Sequence, residues 1–98
     1  MRKFVNKQGV AFLAEFLDLN NLERIYKFIH LFDYRAIIVY EDIDAIMIRQ
    51  RKSDKTKTFV LSKDKEAEKI WICWDPINKE ICWRYDRSIR ENCEEVLL

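Results

Sequence analysis

Lys69–Asp86, KIWICWDPINKEICWRYD, constrains the fold more than any other stretch of the chain. Two apolar, aromatic-rich runs flank Asp75-Pro76-Ile77-Asn78-Lys79, a cluster of turn-forming residues that reads as the closed end of a β-hairpin. Pro76 presets the φ needed at the first central position of a turn, and Asn78 tolerates the left-handed conformation. Setting Asp75 opposite Glu80 pairs Trp74 with Ile81, Cys73 with Cys82, Ile72 with Trp83, Trp71 with Arg84 and Ile70 with Tyr85. One face then becomes Ile70, Ile72, Trp74, Ile81, Trp83 and Tyr85, wholly apolar or aromatic. A slip of one residue would mix the faces, so burial holds the register. The hairpin is expected at the centre of a sheet, with Trp83 on its buried face and Trp71 on a less covered one.

Upstream, Val10, Leu13 and Leu17 recur at helical spacing, with Phe12 and Phe16 widening the stripe. This predicts a first helix, capped by Asn6 and ending near Leu19. Asn20 followed by Glu23 reads as a capping box for a second helix with a buried stripe of Leu22, Ile25, Tyr26, Ile29 and Phe32. So short a joint predicts an αα-hairpin. From Arg35 the pattern changes to β-branched runs: Ala36–Tyr40, Ala45–Arg51 and the Thr-rich Thr56–Ser62. A helix over Asp44–Lys52 competes with the middle strand. Lys63–Glu68 reads as a solvated connector. Ser88 followed by Glu91, with Ile89, Cys93, Val96 and Leu97 on one stripe, predicts a short C-terminal helix. The order implies a single α+β domain over residues 1–98: an N-terminal αα-hairpin, an antiparallel β-meander of about five strands, and a short C-terminal helix.

Composition excludes several function classes. One Gly in 98 residues leaves no material for a P-loop or a dinucleotide fingerprint, so no cofactor is expected. A net charge of +1 means that any electrostatic partner is met by a local patch rather than by the whole chain. Asn6, Lys7 and Gln8 interrupt any secretory apolar core, and Val10–Leu17, which carries Glu15, is far too short to span a bilayer. Three cysteines, an odd number in a chain long enough for a real core, point to free thiols in a reducing, cytoplasmic setting.

Four constellations could carry chemistry. Cys73 and Cys82, directly opposed, come within disulfide range if theirs is the closer, non-hydrogen-bonded kind of pair. They are then a redox pair; otherwise they are two small buried hydrophobes. Arg49, Arg51, Lys52, Lys55 and Lys57, against Asp54, straddle an expected turn and form a basic β-ribbon. Such a ribbon could grip phosphates, with Gln50, Ser53, Thr56 and Thr58 adding hydrogen bonds, or be a solvated tip that protects a sheet edge. Trp71 and Arg84 face each other, which predicts a guanidinium-on-indole contact at either a core or an interface. Glu41, Asp42 and Asp44 read better as an acidic turn than as a metal or acid/base site. His30, the only histidine, has no Ser or Cys nucleophile at recognisable spacing. Cys93 could approach the other thiols, but without a CxxC pair no metal site is expected.

These features point to a small non-enzymatic binding protein acting stoichiometrically on a protein partner, as a regulator or inhibitor. Its Ile/Lys-rich, Gly/Pro-poor composition resembles that of small proteins from AT-rich phage or mobile genomes, where counter-defence inhibitors are one such class. The alternatives are a nucleic-acid binder using the 49–57 ribbon and a small RNase-like enzyme in which Arg and Lys stabilise phosphate charge while His30 or a carboxylate moves protons.

Overall fold

A computed structural model describes residues 1–32, 37–41, 45–52, 55–62 and 69–98. The elements are β1 (Arg2–Asn6), β2 (Ala11–Asp18), α1 (Leu22–Phe32), β3 (Ile37–Glu41), β4 (Ala45–Lys52), β5 (Lys55–Ser62), β6 (Lys69–Asp75), β7 (Glu80–Arg84), α2 (Asp86–Asn92) and β8 (Cys93–Val96). They build two antiparallel sheets: five strands in the order β7-β6-β2-β1-β8, and three in the order β3-β4-β5. The fold is α+β, but the expected five-strand meander is replaced by two sheets, and the expected αα-hairpin by a β-hairpin followed by one helix.

The five-stranded sheet is a middle layer. On one face Leu17, Ile70, Ile72 and Ile81 pack against Ile25, Phe28 and Ile29 of α1 and against Ile46, Ile48 and Leu61 of the smaller sheet. On the other face Phe4, Phe12, Ala14, Trp71 and Cys73 lie under Ile89 of α2. This double burial explains why β2, AFLAEFLD, reads as a helix. A strand covered on both faces presents a nearly continuous apolar run, in which residues three and four apart look like a helical stripe.

The β1–β2 turn shows what Asn6 does in place of capping a helix. Its Oδ1 accepts the backbone N–H groups of Gln8 and Val10, both at 3.0 Å. Asn6 N–H donates to the Val10 carbonyl, and Gly9 N–H to the Asn6 carbonyl. Gly9 sits at φ +80° in this three-residue loop, the left-handed position such hairpins need filled. A Cβ there would meet no atom within 4 Å, so Gly9→Ala tests backbone strain alone. The expected loss is about 1 kcal/mol, read from the urea midpoint. An unchanged midpoint would mean that the turn does not hold Gly9 in this conformation.

The central hairpin has the register read from the sequence, from Trp71↔Arg84 to Asp75↔Glu80. Asp75 Oδ1 accepts the N–H groups of Ile77 and Asn78, and Asn78 Nδ2 donates to Asp75 Oδ2. The left-handed residue is Lys79, at φ 53°, rather than Asn78. Tyr85 lies beyond β7 and occupies the N-cap position of α2.

The ends of the helices also differ from expectation. Asn21, not Asn20, caps α1, its Oδ1 accepting Arg24 N–H at 3.2 Å. At α2 the Ser88 capping box gives way to an earlier start at Asp86, steadied by the Arg87–Glu91 and Arg90–Asp86 pairs. The helix stops at Asn92 because Cys93 is extended, and residues 93–96 pair with β1 instead of prolonging the helix. Pairing satisfies a β1 edge that a continued helix would leave bare. Arg2 fastens the strand through two hydrogen bonds to Glu95, at 2.6 and 2.5 Å, and these hold the Glu95 carboxyl below its ordinary range.

Candidate functional site

The smaller sheet has one inward and one outward face. Ile46, Ile48 and Gln50 of β4 point into the molecule with Leu61 of β5. The alternate residues face solvent, and the register sets exposed Arg49 opposite exposed Thr58 and exposed Arg51 opposite exposed Thr56. Half-buried Met47 lies opposite Val60, which is 53% exposed. Two guanidinium groups therefore leave one strand at positions two residues apart, about 7 Å along the chain. Each has a hydroxyl-bearing neighbour, and an apolar pair continues the same face. Neither arginine has an acidic partner among the described residues.

Of the expected five-residue basic ribbon, the described side chains are those of Arg49 and Arg51. Lys52 pairs with Lys55 and Lys57 with Gln50 in backbone register, but these three lysine side chains lie outside the described residues, as do residues 53 and 54. The acidic cluster also falls there: Glu41 closes β3, but its side chain, Asp42 and Asp44 are not among those described. The 63–68 connector is likewise outside.

Trp71 is a core residue, 3% exposed. Its ring stacks on Phe16 at 5.0 Å and meets the Phe4 ring edge-on at 5.0 Å. Its Nε1 donates to Asp86 Oδ1 at 2.9 Å, which ties α2 to the sheet. Arg84 is its register partner, yet the guanidinium lies over Phe12 at 5.1 Å, and the cation over the indole is Arg2, also at 5.1 Å. Trp71 thus takes the core alternative, while Arg84 is half-buried on β7.

His30 is half-buried on α1 and stacks on Tyr26 at 4.2 Å. Its Nε2 is shielded from water without a hydrogen-bond partner among the described residues. Among the described residues no group of three His, Cys, Asp or Glu side chains is placed to hold a metal ion. No described helix is long and apolar enough to cross a membrane.

The sequence places Gln50 on the basic ribbon as a hydrogen-bonding side chain for phosphate; the structure turns it inward instead, as the one buried polar residue among those described, at 1% exposure. Its Nε2 donates to the Lys79 carbonyl at 3.0 Å and its Oε1 accepts Ile81 N–H at 2.9 Å. The amide engages the carbonyl before Glu80 and the N–H after it, as the N–H and C=O of one residue on a parallel neighbouring strand would. One side chain of the smaller sheet thereby closes the start of β7, an edge strand of the larger one. The signal lay in the alternation Ile46, Ile48, Gln50, a polar residue where the pattern calls for an apolar one. No protein-family model matches the chain, and neither the curated proteins nor the solved structures provide a match to it.

Proposed function

We propose that the chain is a non-enzymatic protein acting stoichiometrically, as a regulator or inhibitor, on an acidic surface of a protein partner. The observation that carries this reading is the outward row of β4 and β5, where exposed Arg49 and Arg51 stand beside half-buried Met47 and exposed Val60. Arg and Met are enriched at protein interfaces, and a cationic row next to an apolar pair suits a partner with carboxylates around an apolar spot. The three free thiols fit a reducing, cytoplasmic setting. Phosphate is the competing ligand, because two arginines with two threonine hydroxyls could also follow a nucleic-acid backbone.

Fluorescence anisotropy with labelled single- and double-stranded DNA and RNA separates the two. A protein-directed surface leaves only non-specific affinity, on the order of 10⁻⁴ M or weaker near physiological salt. Binding tighter than about 10⁻⁶ M overturns the protein-partner reading if it weakens about tenfold between roughly 50 and 200 mM salt, as two phosphate contacts require, and vanishes in Arg49→Glu/Arg51→Glu.

A further inference from the structure

The larger sheet ends in two edge strands, β7 and β8, and they are finished differently. At β7 the Gln50 amide occupies the Lys79 carbonyl and the Ile81 N–H. Because Ile81 N–H points away from β6, Trp74↔Ile81 is a non-hydrogen-bonded pair and Cys73↔Cys82 a hydrogen-bonded one. That is the wider spacing, so the two cysteines are free neighbours in the sheet rather than a redox pair.

At β8 the backbone is left open. Asn6 N–H donates to the Val10 carbonyl and the Asn6 carbonyl accepts Gly9 N–H, so both groups of Asn6 point to the β2 side. Hence Asn6↔Cys93 and Phe4↔Glu95 are non-hydrogen-bonded pairs, and Val5↔Glu94 and Lys3↔Val96 hydrogen-bonded ones. Cys93 and Glu95 therefore turn their backbone groups away from β1. Cys93 N–H is already bonded to the Ile89 carbonyl at the end of α2. The Cys93 carbonyl and both backbone groups of Glu95 remain at the edge, with no strand beyond them among the described residues.

The side chains along this edge restrict what can pair with it. Glu94 and Val96 share a face with Val5, Ala11 and Leu13, which are half-buried register neighbours. Val96 is 36% exposed, and exposed Glu94 has no ion partner among the described residues. Glu95 is held by Arg2. A second copy would pair across a two-fold axis. That sets Glu94 against Glu94 or Glu95 against Glu95, unless the pairing slides out to Val96, where β8 offers fewer groups. Like charges directly opposed are destabilising, so the glutamates guard the edge against self-pairing. They leave it open to a strand of opposite charge.

We propose that β8 is a docking edge for an extended basic segment of another protein, which adds to the five-stranded sheet as a further antiparallel strand. The segment residue opposite Glu95 exchanges both backbone bonds with it. The next residue along the segment lies opposite Glu94, in the closer, non-hydrogen-bonded kind of pair, and is Lys or Arg. The residue before lies beside Val96 and is apolar. In chain order the edge thus reads an apolar residue, any residue, then a basic one. So short a ladder gives a transient contact, with Kd on the order of 10⁻⁵ M or weaker. The Arg49 and Arg51 row, of opposite charge, takes no part in it.

Amide NMR of the protein titrated with synthetic peptides tests the proposal. The probe has a Val-Thr-Arg core flanked by threonines; its counterparts carry Glu for Arg, or an N-methyl group on the central Thr. The Arg peptide should shift the β8 amides and slow exchange of Glu95 N–H. The Glu peptide should bind about fivefold more weakly, and Glu94→Lys should reverse the preference. N-methylation should abolish binding, which charge attraction alone would survive. Arg49→Glu/Arg51→Glu should bind the Arg peptide as wild type does. No binding of the Arg peptide, equal binding of the methylated one, or a preference unaffected by Glu94→Lys would each overturn the proposal. So would loss of binding in Arg49→Glu/Arg51→Glu, or concentration-dependent dimerisation that protects the same amides without peptide.

Discussion

Trp71→Ala is expected to cost about 3–5 kcal/mol of stability, and Trp83→Ala clearly less. Trp71 is buried and touches Phe4, Phe16 and the Arg2 guanidinium, and its Nε1–H bond to Asp86 is a direct tie between the sheet and α2. Trp83 belongs to the edge of the other core, half-buried, with the ring of Tyr85 against it at 4.9 Å. The order is the reverse of what the hairpin alone predicts, because α2 covers the face on which Trp71 sits. Trp71→Phe separates packing from the hydrogen bond: it keeps most of the ring contacts and should lose about 1 kcal/mol, because the Asp86 carboxylate is partly exposed and keeps its pair with Arg90. Urea midpoints for the three variants decide the matter. A Trp83→Ala midpoint below that of Trp71→Ala would mean that α2 does not pack as described.

Gln50→Leu should cost about 3 kcal/mol although it replaces a polar residue in a core by an apolar one of similar size. The loss arises on the other side of the interface. Ile81 is 1% exposed, so its N–H, deprived of the Gln50 oxygen, has no water to turn to. The Lys79 carbonyl is in an exposed turn and recovers some solvation. Amide hydrogen exchange gives the specific readout: Ile81 N–H should lose protection in Gln50→Leu well beyond any global change in stability. Unchanged protection there, with an unchanged midpoint, would show that the two sheets are not joined through this amide.

How much was legible depended on whether an element has one buried face or two. The β6–β7 register could be read because a turn cluster anchors the pairing and both faces alternate consistently from it. The strands of the smaller sheet were legible too, since one face is buried and the other carries Arg49, Arg51, Thr56 and Thr58. The β1–β2 hairpin was hidden by burial on both faces of Ala11–Asp18, and its one turn signal, Gly9 at positive φ, looked like a weak residue in a helix. The C-terminal strand was hidden for another reason. Ile89, Cys93, Val96 and Leu97 do satisfy a helical stripe, and only the open edge of β1, a tertiary fact, draws residues 93–96 into a sheet. The same gap put Trp71 between core and interface, since covering it takes α2, whose position no local pattern reveals.

The measurement that bears most directly on the proposed role is an affinity capture from a lysate of the cells that make the protein. Wild-type and Arg49→Glu/Arg51→Glu baits are used, with and without nuclease. Both changes lie on an exposed face, so the variant should fold with an unchanged melting temperature. A stoichiometric protein partner with an acidic surface is expected, retained after nuclease treatment and lost or strongly depleted on the charge-reversed bait. Nucleic acid as the retained species, or a protein partner held equally well by both baits, would contradict an acidic-partner surface on the outer face of the smaller sheet.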